Sequence, residues 1–199
     1  MKKQLLMIGQ FIVLFSISMI SVHAKEQQHS PSEIPQSMLQ KLEPLTGQWQ
    51  MQVSMTQDDG KTWQAMPPQT VNLHFTHNAM VLEEKPELKE NSGFSMLTYI
   101  SYDQYRKVFR KAAIDDTWGI MDLYEGDIVN EQLVLNNLKS GTLFPIGPNI
   151  WRGFRLKVDL SLKIKNGMAF RQIAIDKTDD YGKTWQPAFV ATYEKVVVN

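Results

Sequence analysis

This chain of 199 residues contains no cysteine. Disulfide staples, thiol nucleophiles and thiolate metal sites are excluded, so stability has to come from a packed core. Histidine is scarce, with four in the whole chain and none beyond His77. Neither sign of charge is in excess. The 21 basic residues are balanced by 21 acidic ones, which gives no basic stripe for a nucleic acid. No Gly-rich phosphate loop, Gly-x-Ser-x-Gly elbow or Ser-His-Asp order occurs. Long apolar runs are confined to the first residues.

That first run begins with Met1-Lys2-Lys3, passes through Leu5–Ile8 and Phe11–Ile20, and reaches Val22-His23-Ala24. A basic start, an apolar middle and a small-residue end predict a secretory signal cleaved after Ala24. An uncleaved anchor is the alternative, since the run is close to the lower length for a spanning helix. Position 25 is lysine, so no lipobox cysteine follows and a lipoprotein is not expected. The expected location is periplasmic or secreted, without stable membrane insertion after cleavage. Loss of Lys2 and Lys3 leaves the remainder two charges negative. Residues 25–36 are polar, carry Pro31 and Pro35, and read as a flexible leader. Residues 37–199 read as one domain, long enough to bury roughly 70% of its unfolded surface.

What is present is a repeated phrase. Thr56-Gln57-Asp58-Asp59-Gly60-Lys61-Thr62-Trp63 returns as Thr178-Asp179-Asp180-Tyr181-Gly182-Lys183-Thr184-Trp185. Asp folds its carboxylate onto nearby N–H groups, Gly supplies a positive φ, and Thr-Trp opens a return strand. Two hairpin tips of this kind predict an antiparallel β protein.

The rest alternates with a period of two. Trp49, Met51, Val53 and Met55 share one face of Gly47–Met55, with Gln48, Gln50, Gln52 and Ser54 on the other. Val71, Leu73 and Phe75 repeat the pattern, and a His77-Asn78 turn leads into 79–84. Further strands are expected over 95–102, 107–115, 118–124, 132–136, 152–164, 168–178 and 184–198. Turns at Asn91-Ser92-Gly93 and Asn166-Gly167 separate some of them. Met38, Leu39, Leu42 and Leu45 lie at helical spacing before the first strand, predicting one short helix over 37–45. About ten antiparallel strands in series need their edges hidden, and barrel closure does that. A sandwich is the runner-up. A six-bladed propeller would need about 24 strands and does not fit.

Leu42-x-x-Leu45-x-Gly47-x-Trp49 resembles the start of the first strand in the calycin superfamily of lipocalins and fatty-acid-binding relatives. Tyr102-Asp103, Phe109, Ile114-Asp115 and Gly119, followed late by Tyr193-Glu194, resemble a bacterial lipocalin-like family of unknown function, number fifteen seventy-nine. The resemblance spans about Met38 to Lys195, and the loop 141–151 lies outside its pattern. It implies a single antiparallel barrel with an internal cavity and no established reaction. The hairpin tips are similar to the Asp-box of sialidases, where the motif is structural and remote from chemistry. Haem-binding barrels of the nitrobindin type use a late histidine, which this chain lacks, so that cofactor is not expected.

Candidate site residues follow from strand parity. His74 and His77 point to opposite faces of a strand, so no shared metal is expected. The adjacent pairs Asp115-Asp116 and Glu83-Glu84 likewise point apart, whereas glycoside hydrolysis needs two carboxyls facing one bond. Arg110 shares parity with Val108, Ala112 and Ile114. An inward Arg110 would need an acidic partner, such as a ligand carboxylate. The opposite parity carries Phe109 and Ala113 with Lys107 and Lys111, so the pattern leaves the facing open. Trp118, Asp122 and Tyr124 form a mixed face suited to a pocket or to an outer surface, and Trp49 suits a barrel end. The expected function is binding a small apolar or amphipathic ligand through Arg110, Trp118, Asp122, Tyr124 and Trp49, without catalysis or cofactor. Two alternatives stand beside it. One is a hydrolase of an envelope glycan or ester using Asp115 and Asp122, and the other is a protein-interaction module docking through Trp63 and Trp185.

Overall fold

The computed structural model describes residues 32–87, 95–165 and 167–196. The expected signal segment, most of the leader and the turn at Asn91-Ser92-Gly93 lie outside the described residues.

A short helix, α1 (Glu33–Gln40), and a 3-10 turn (Glu43–Leu45) precede the first strand. The helix begins earlier than its apolar spacing suggests. Pro35 sits in its first turn, where its missing N–H costs nothing, and is buried with Leu39. Thirteen strands follow among the described residues: β1 (Gly47–Met55), β2 (Gln64–Ala65), β3 (Gln69–Thr76), β4 (Val81–Pro86), β5 (Met96–Asp103), β6 (Val108–Asp115) and β7 (Met121–Val129) come first. Then come β8 (Gln132–Asn136), β9 (Phe144–Gly147), β10 (Ile150–Asp159), β11 (Lys163–Lys165), β12 (Met168–Thr178) and β13 (Gln186–Lys195). Ten of them close a ring in the order β1-β3-β4-β5-β6-β7-β8-β10-β12-β13 and back to β1, every pair antiparallel. The fold is a closed antiparallel barrel with one short helix. β2, β9 and β11 are short extensions paired to β1, β10 and β12.

One end of the barrel is sealed. Leu39, Leu42 and Leu45 from the helical segment pack on Trp49, Leu73, Phe109 and Leu133, all buried. The indole N–H of Trp49 donates to the Leu45 carbonyl at 2.9 Å, tying the 3-10 turn to β1. At the other end of β1 lie the two hairpin tips. Thr56 Oγ1 donates to Asp58 at 2.8 Å and accepts the Gly60 amide at 3.0 Å; Asp58 accepts the Thr62 amide at 2.8 Å and hydroxyl at 2.6 Å. The second tip repeats the set, with Thr178 to Asp180 at 2.7 Å and the Thr184 amide and hydroxyl at 2.9 and 2.7 Å. The tips lie side by side, joined by the Thr56 amide on the Ala188 carbonyl and by a Lys177–Asp59 ion pair.

These bonds favour the ionised carboxylates. The Thr62 hydroxyl first, and then its amide, hold Asp58 at about 2; the Thr184 amide and hydroxyl do the same for Asp180. A carboxyl depressed in the folded chain stabilises it fully above the ordinary value of 3.8, and that contribution fades as pH falls towards about 2. The thermal midpoint should therefore fall across that window. In a D58N/D180N chain the fall should be smaller, because asparagine has no proton to gain. An equal fall in both proteins would remove the tips from the account.

Three expected segments differ. The strand expected over 152–164 ends at Asp159, because the Leu160 amide turns to the Glu131 carbonyl; Leu162 and Ile164, on the same parity as the buried Leu156 and Val158, then lie exposed. The strand expected from Trp118 starts at Met121. Asp115 accepts the amides of Thr117 and Ile120 at 2.9 and 3.0 Å and that of Trp118, bending 115–120 into a turn in which Gly119 takes a positive φ. The loop 141–151 contains the β9–β10 hairpin, whose alternation is too short to read.

Candidate functional site

The inner wall is set by register. β1 faces inward with Trp49, Met51, Val53 and Met55, as its alternation predicts. The facing of β6, open in the sequence, goes to its odd positions: Phe109, Lys111, Ala113 and Asp115 are buried while Arg110 is 43% exposed. Arg110 stands outside, ion-paired to Glu125 at 3.3 Å and Asp103 at 3.4 Å, so the interior arginine considered above is not at this position. It borders a shallow groove of about 220 Å³ with Tyr99 and Leu123. Trp118 is also outside, 71% exposed on its turn. Trp49, Asp122 and Tyr124 do face the interior.

Asp122 is buried and accepts from both sides. Asn137 Nδ2 lies 3.1 and 3.2 Å from its two oxygens, and the Thr142 hydroxyl donates to one of them. Tyr124 is its neighbour, and burial first, then the Asp122 charge, pushes that phenol well above its ordinary value. Lys111 Nζ lies 5.8 Å from the Tyr124 ring centroid. Desolvation lowers this amine, opposed by the charges of Glu84 and Asp122. Glu84, on the inner face of β4, accepts the Tyr193 hydroxyl at 3.0 Å, a bond between β4 and β13, which are separated in the ring by β1 and β3. Burial raises Tyr193 strongly, with the Glu84 charge as second cause. Arg171 packs over Tyr193, its guanidinium carbon 3.6 Å from that ring centroid and 5.0 Å from that of Trp49. A belt of polar groups therefore crosses the barrel, from Arg171 through Tyr193 and Glu84 to Lys111 and Asp122.

Towards the hairpin tips the wall is apolar and only half-buried. Met51, Val53, Met55, Phe154, Ile175 and Phe189 line it, and Phe144, Phe154 and Phe189 form an aromatic row with centroids 5.5 and 6.1 Å apart.

Four belt residues were not proposed as site residues from the sequence: Glu84, Lys111 and Tyr193 were named there in other connections, and Arg171 not at all. Arg171 shares parity with Ile173 and Ile175, Lys111 with Phe109 and Ala113, Glu84 with Leu82, and Tyr193 with Ala191. A charge on an otherwise apolar parity was the available signal. Of the acids considered from the sequence, Asp115 and Asp116 are engaged at a turn, while Glu84 joins the belt. Asp115 is held below its ordinary value by the Trp118 amide first, and Asp116 by the Ser95 hydroxyl at 2.6 Å. Among the described residues, every aspartate whose pKa is shifted has it lowered, the opposite of what a general acid requires. No group of metal-ligating side chains occurs among the described residues. Trp63 donates to the Gly60 carbonyl of its own tip at 3.1 Å, and the Trp185 ring lies 4.4 Å from the guanidinium carbon of Arg155 on β10.

No protein-family model and no curated protein matches this chain.

Proposed function

We propose that this chain is an exported lipocalin-like binding protein that holds a small apolar or amphipathic molecule inside its barrel. The observation that carries this reading is the half-buried apolar wall of Met51, Val53, Met55, Phe154, Ile175 and Phe189 at the tip end, facing inward from a barrel sealed at the other end. A barrel built only as a scaffold has no use for six large apolar side chains left partly wet. Covering them contributes roughly 25 cal/mol for each Å² removed from water, and a few polar contacts fix orientation. Methionines at Met51 and Met55 suit a ligand of variable shape. The composition of Met1–Ala24 supports export to the periplasm or beyond. The Gly47-x-Trp49 start and the late Tyr193-Glu194 support kinship with the bacterial family of unknown function named above.

The test is native mass spectrometry of protein taken from the periplasm of a bacterial host, with titration of delipidated protein by the neutral dye Nile red. A co-purifying small molecule released on unfolding, and saturable dye fluorescence, are the expected results. Unloaded protein that leaves the dye dark would overturn the reading.

A further inference from the structure

We propose that the outer face of β5, β6 and β7 is the surface through which two copies of this chain associate, about a two-fold axis lying across the strands. This surface is separate from the barrel interior and does not depend on what the interior holds.

An antiparallel wall with one face in the core and one in water places apolar residues inward and polar ones outward. Much of this barrel obeys. β1 turns Gln48, Gln50 and Gln52 outward, and β10 turns Arg155, Lys157 and Asp159 outward. β5, β6 and β7 depart from the pattern. Their ladders set Leu97, Ile114 and Met121 side by side in one outward row, and Tyr99, Ala112 and Leu123 in the next. Met121 and Leu123 are exposed, and Trp118, on the turn just beyond the first row, is the most exposed of the tryptophans. Adjoining uncharged side chains on an outer wall mark a site of association.

The same face carries a projection and a recess. Past the second row, towards the sealed end, Arg110 borders the groove of about 220 Å³ with Tyr99, Ala112 and Leu123. That volume lies below the roughly 300 Å³ at which small-molecule sites begin, so it suits a single large side chain. At the opposite end of the face stands Trp118. A two-fold axis in the plane of the face, across the strands and between the two rows, exchanges these ends. Each Trp118 then meets the groove of the other copy beside the Arg110 guanidinium, where ring and cation attract. The exchange also sets Arg110 against the second copy's Asp116, which is exposed six residues further on with the same outward parity.

The rim supports a second copy over other occupants. It carries both signs, Arg110 with Glu125 and Asp116, as a self-complementary surface requires. An anionic lipid surface would call for an excess of cations. Strands about 4.8 Å apart and outward rows about 6.7 Å apart give a face of roughly 20 by 25 Å. Two such faces bury about 1,000 Å² in total, the lower bound of specific interfaces, so the pair should be reversible.

The experiment is sedimentation equilibrium of the periplasmic protein from about 1 μM to about 1 mM, the range suited to a contact of this size. The average mass should climb from one chain towards two as concentration rises. Leu123→Lys puts a charge in the apolar row, and Trp118→Ala removes the projecting ring. Each should raise the dissociation constant at least about tenfold, with the thermal midpoint unchanged because neither side chain is in the core. Ile164→Lys, at an exposed apolar position on β11, is the control and should change nothing. A mass that stays at one chain throughout overturns the proposal. So does association that Leu123→Lys or Trp118→Ala leaves undiminished, or that Ile164→Lys abolishes. Should Leu123→Lys fail to fold, Trp118→Ala decides. If the chain stays single but sediments with vesicles of phosphatidylethanolamine and phosphatidylglycerol through Trp118, the face serves a lipid surface and the proposal falls.

Discussion

Replacing Trp49 with alanine is expected to cost about 3–5 kcal/mol of folding stability, the range for truncating a fully buried large aromatic. The side chain is 0% exposed and meets three kinds of neighbour. Its indole N–H satisfies the Leu45 carbonyl, its ring meets Tyr193 edge-on at 6.5 Å, and its faces receive Arg171 at 5.0 Å and Lys195 at 4.5 Å. Alanine opens a void at the sealed end, orphans a carbonyl of the 3-10 turn and removes the π surface from two cations. A natural domain holds only about 5–15 kcal/mol in total, so this one change should bring the protein close to unfolding at ambient temperature. Urea titration reads it as a lower midpoint with an unchanged slope. Trp49→Phe keeps most of the volume and loses the N–H, so it should fall between the two. An alanine variant within 1 kcal/mol of the parent, about the cost of one hydrogen bond, would show that the plug is not organised around this ring.

The second large effect is expected at Gly126, where alanine should destabilise by about 3 kcal/mol, the upper part of the range for overpacking. A Cβ at this position would stand 1.9 Å from the Val134 carbonyl oxygen and 3.0 Å from the Leu135 Cα. Both obstacles are backbone in the neighbouring strand, so no rotamer change relieves them. β7 and β8 approach so closely here that only a missing side chain fits. The strands must part, and the ladder from Asp127–Val134 to Val129–Gln132 loosens with them. Amide hydrogen exchange should speed up across β8 before other strands respond. Gly141→Ala is the control, since nothing lies within 4 Å of its added Cβ and its positive φ alone adds strain.

The degree to which this molecule was legible differs from strand to strand. β1, β8 and β12 occupy the expected spans; β1 alternates cleanly, and β1 and β12 each run into an Asp-centred tip. Both hairpin tips were readable because their hydrogen bonds run between residues no more than four apart. The site was less legible. Asp122 and Tyr124 were named, but Arg110 was considered where its neighbour Lys111 holds the inner position. That strand places apolar and basic residues on both parities, so the pattern alone has two equal solutions. Trp118 was assigned to a strand face, whereas Asp115 gathers the amides after it into a turn.

The amino-acid order by itself determined the antiparallel β character, the series of about ten strands, the short helix before them and the two Asp-centred tips. Each depends on contacts within a few residues or on a period of two that any reader can count. Only the closed barrel decided which side of β6 faces inward, and only it assembled Glu84, Lys111, Arg171 and Tyr193 into one belt. Those four come from four strands in two widely separated parts of the chain, and a buried charge has meaning only once its neighbours are known. Arg171 Nε and Nη2, buried without an acceptor among the described residues, are likewise a property of that enclosure, because whether a guanidinium finds an acceptor depends on every strand around it.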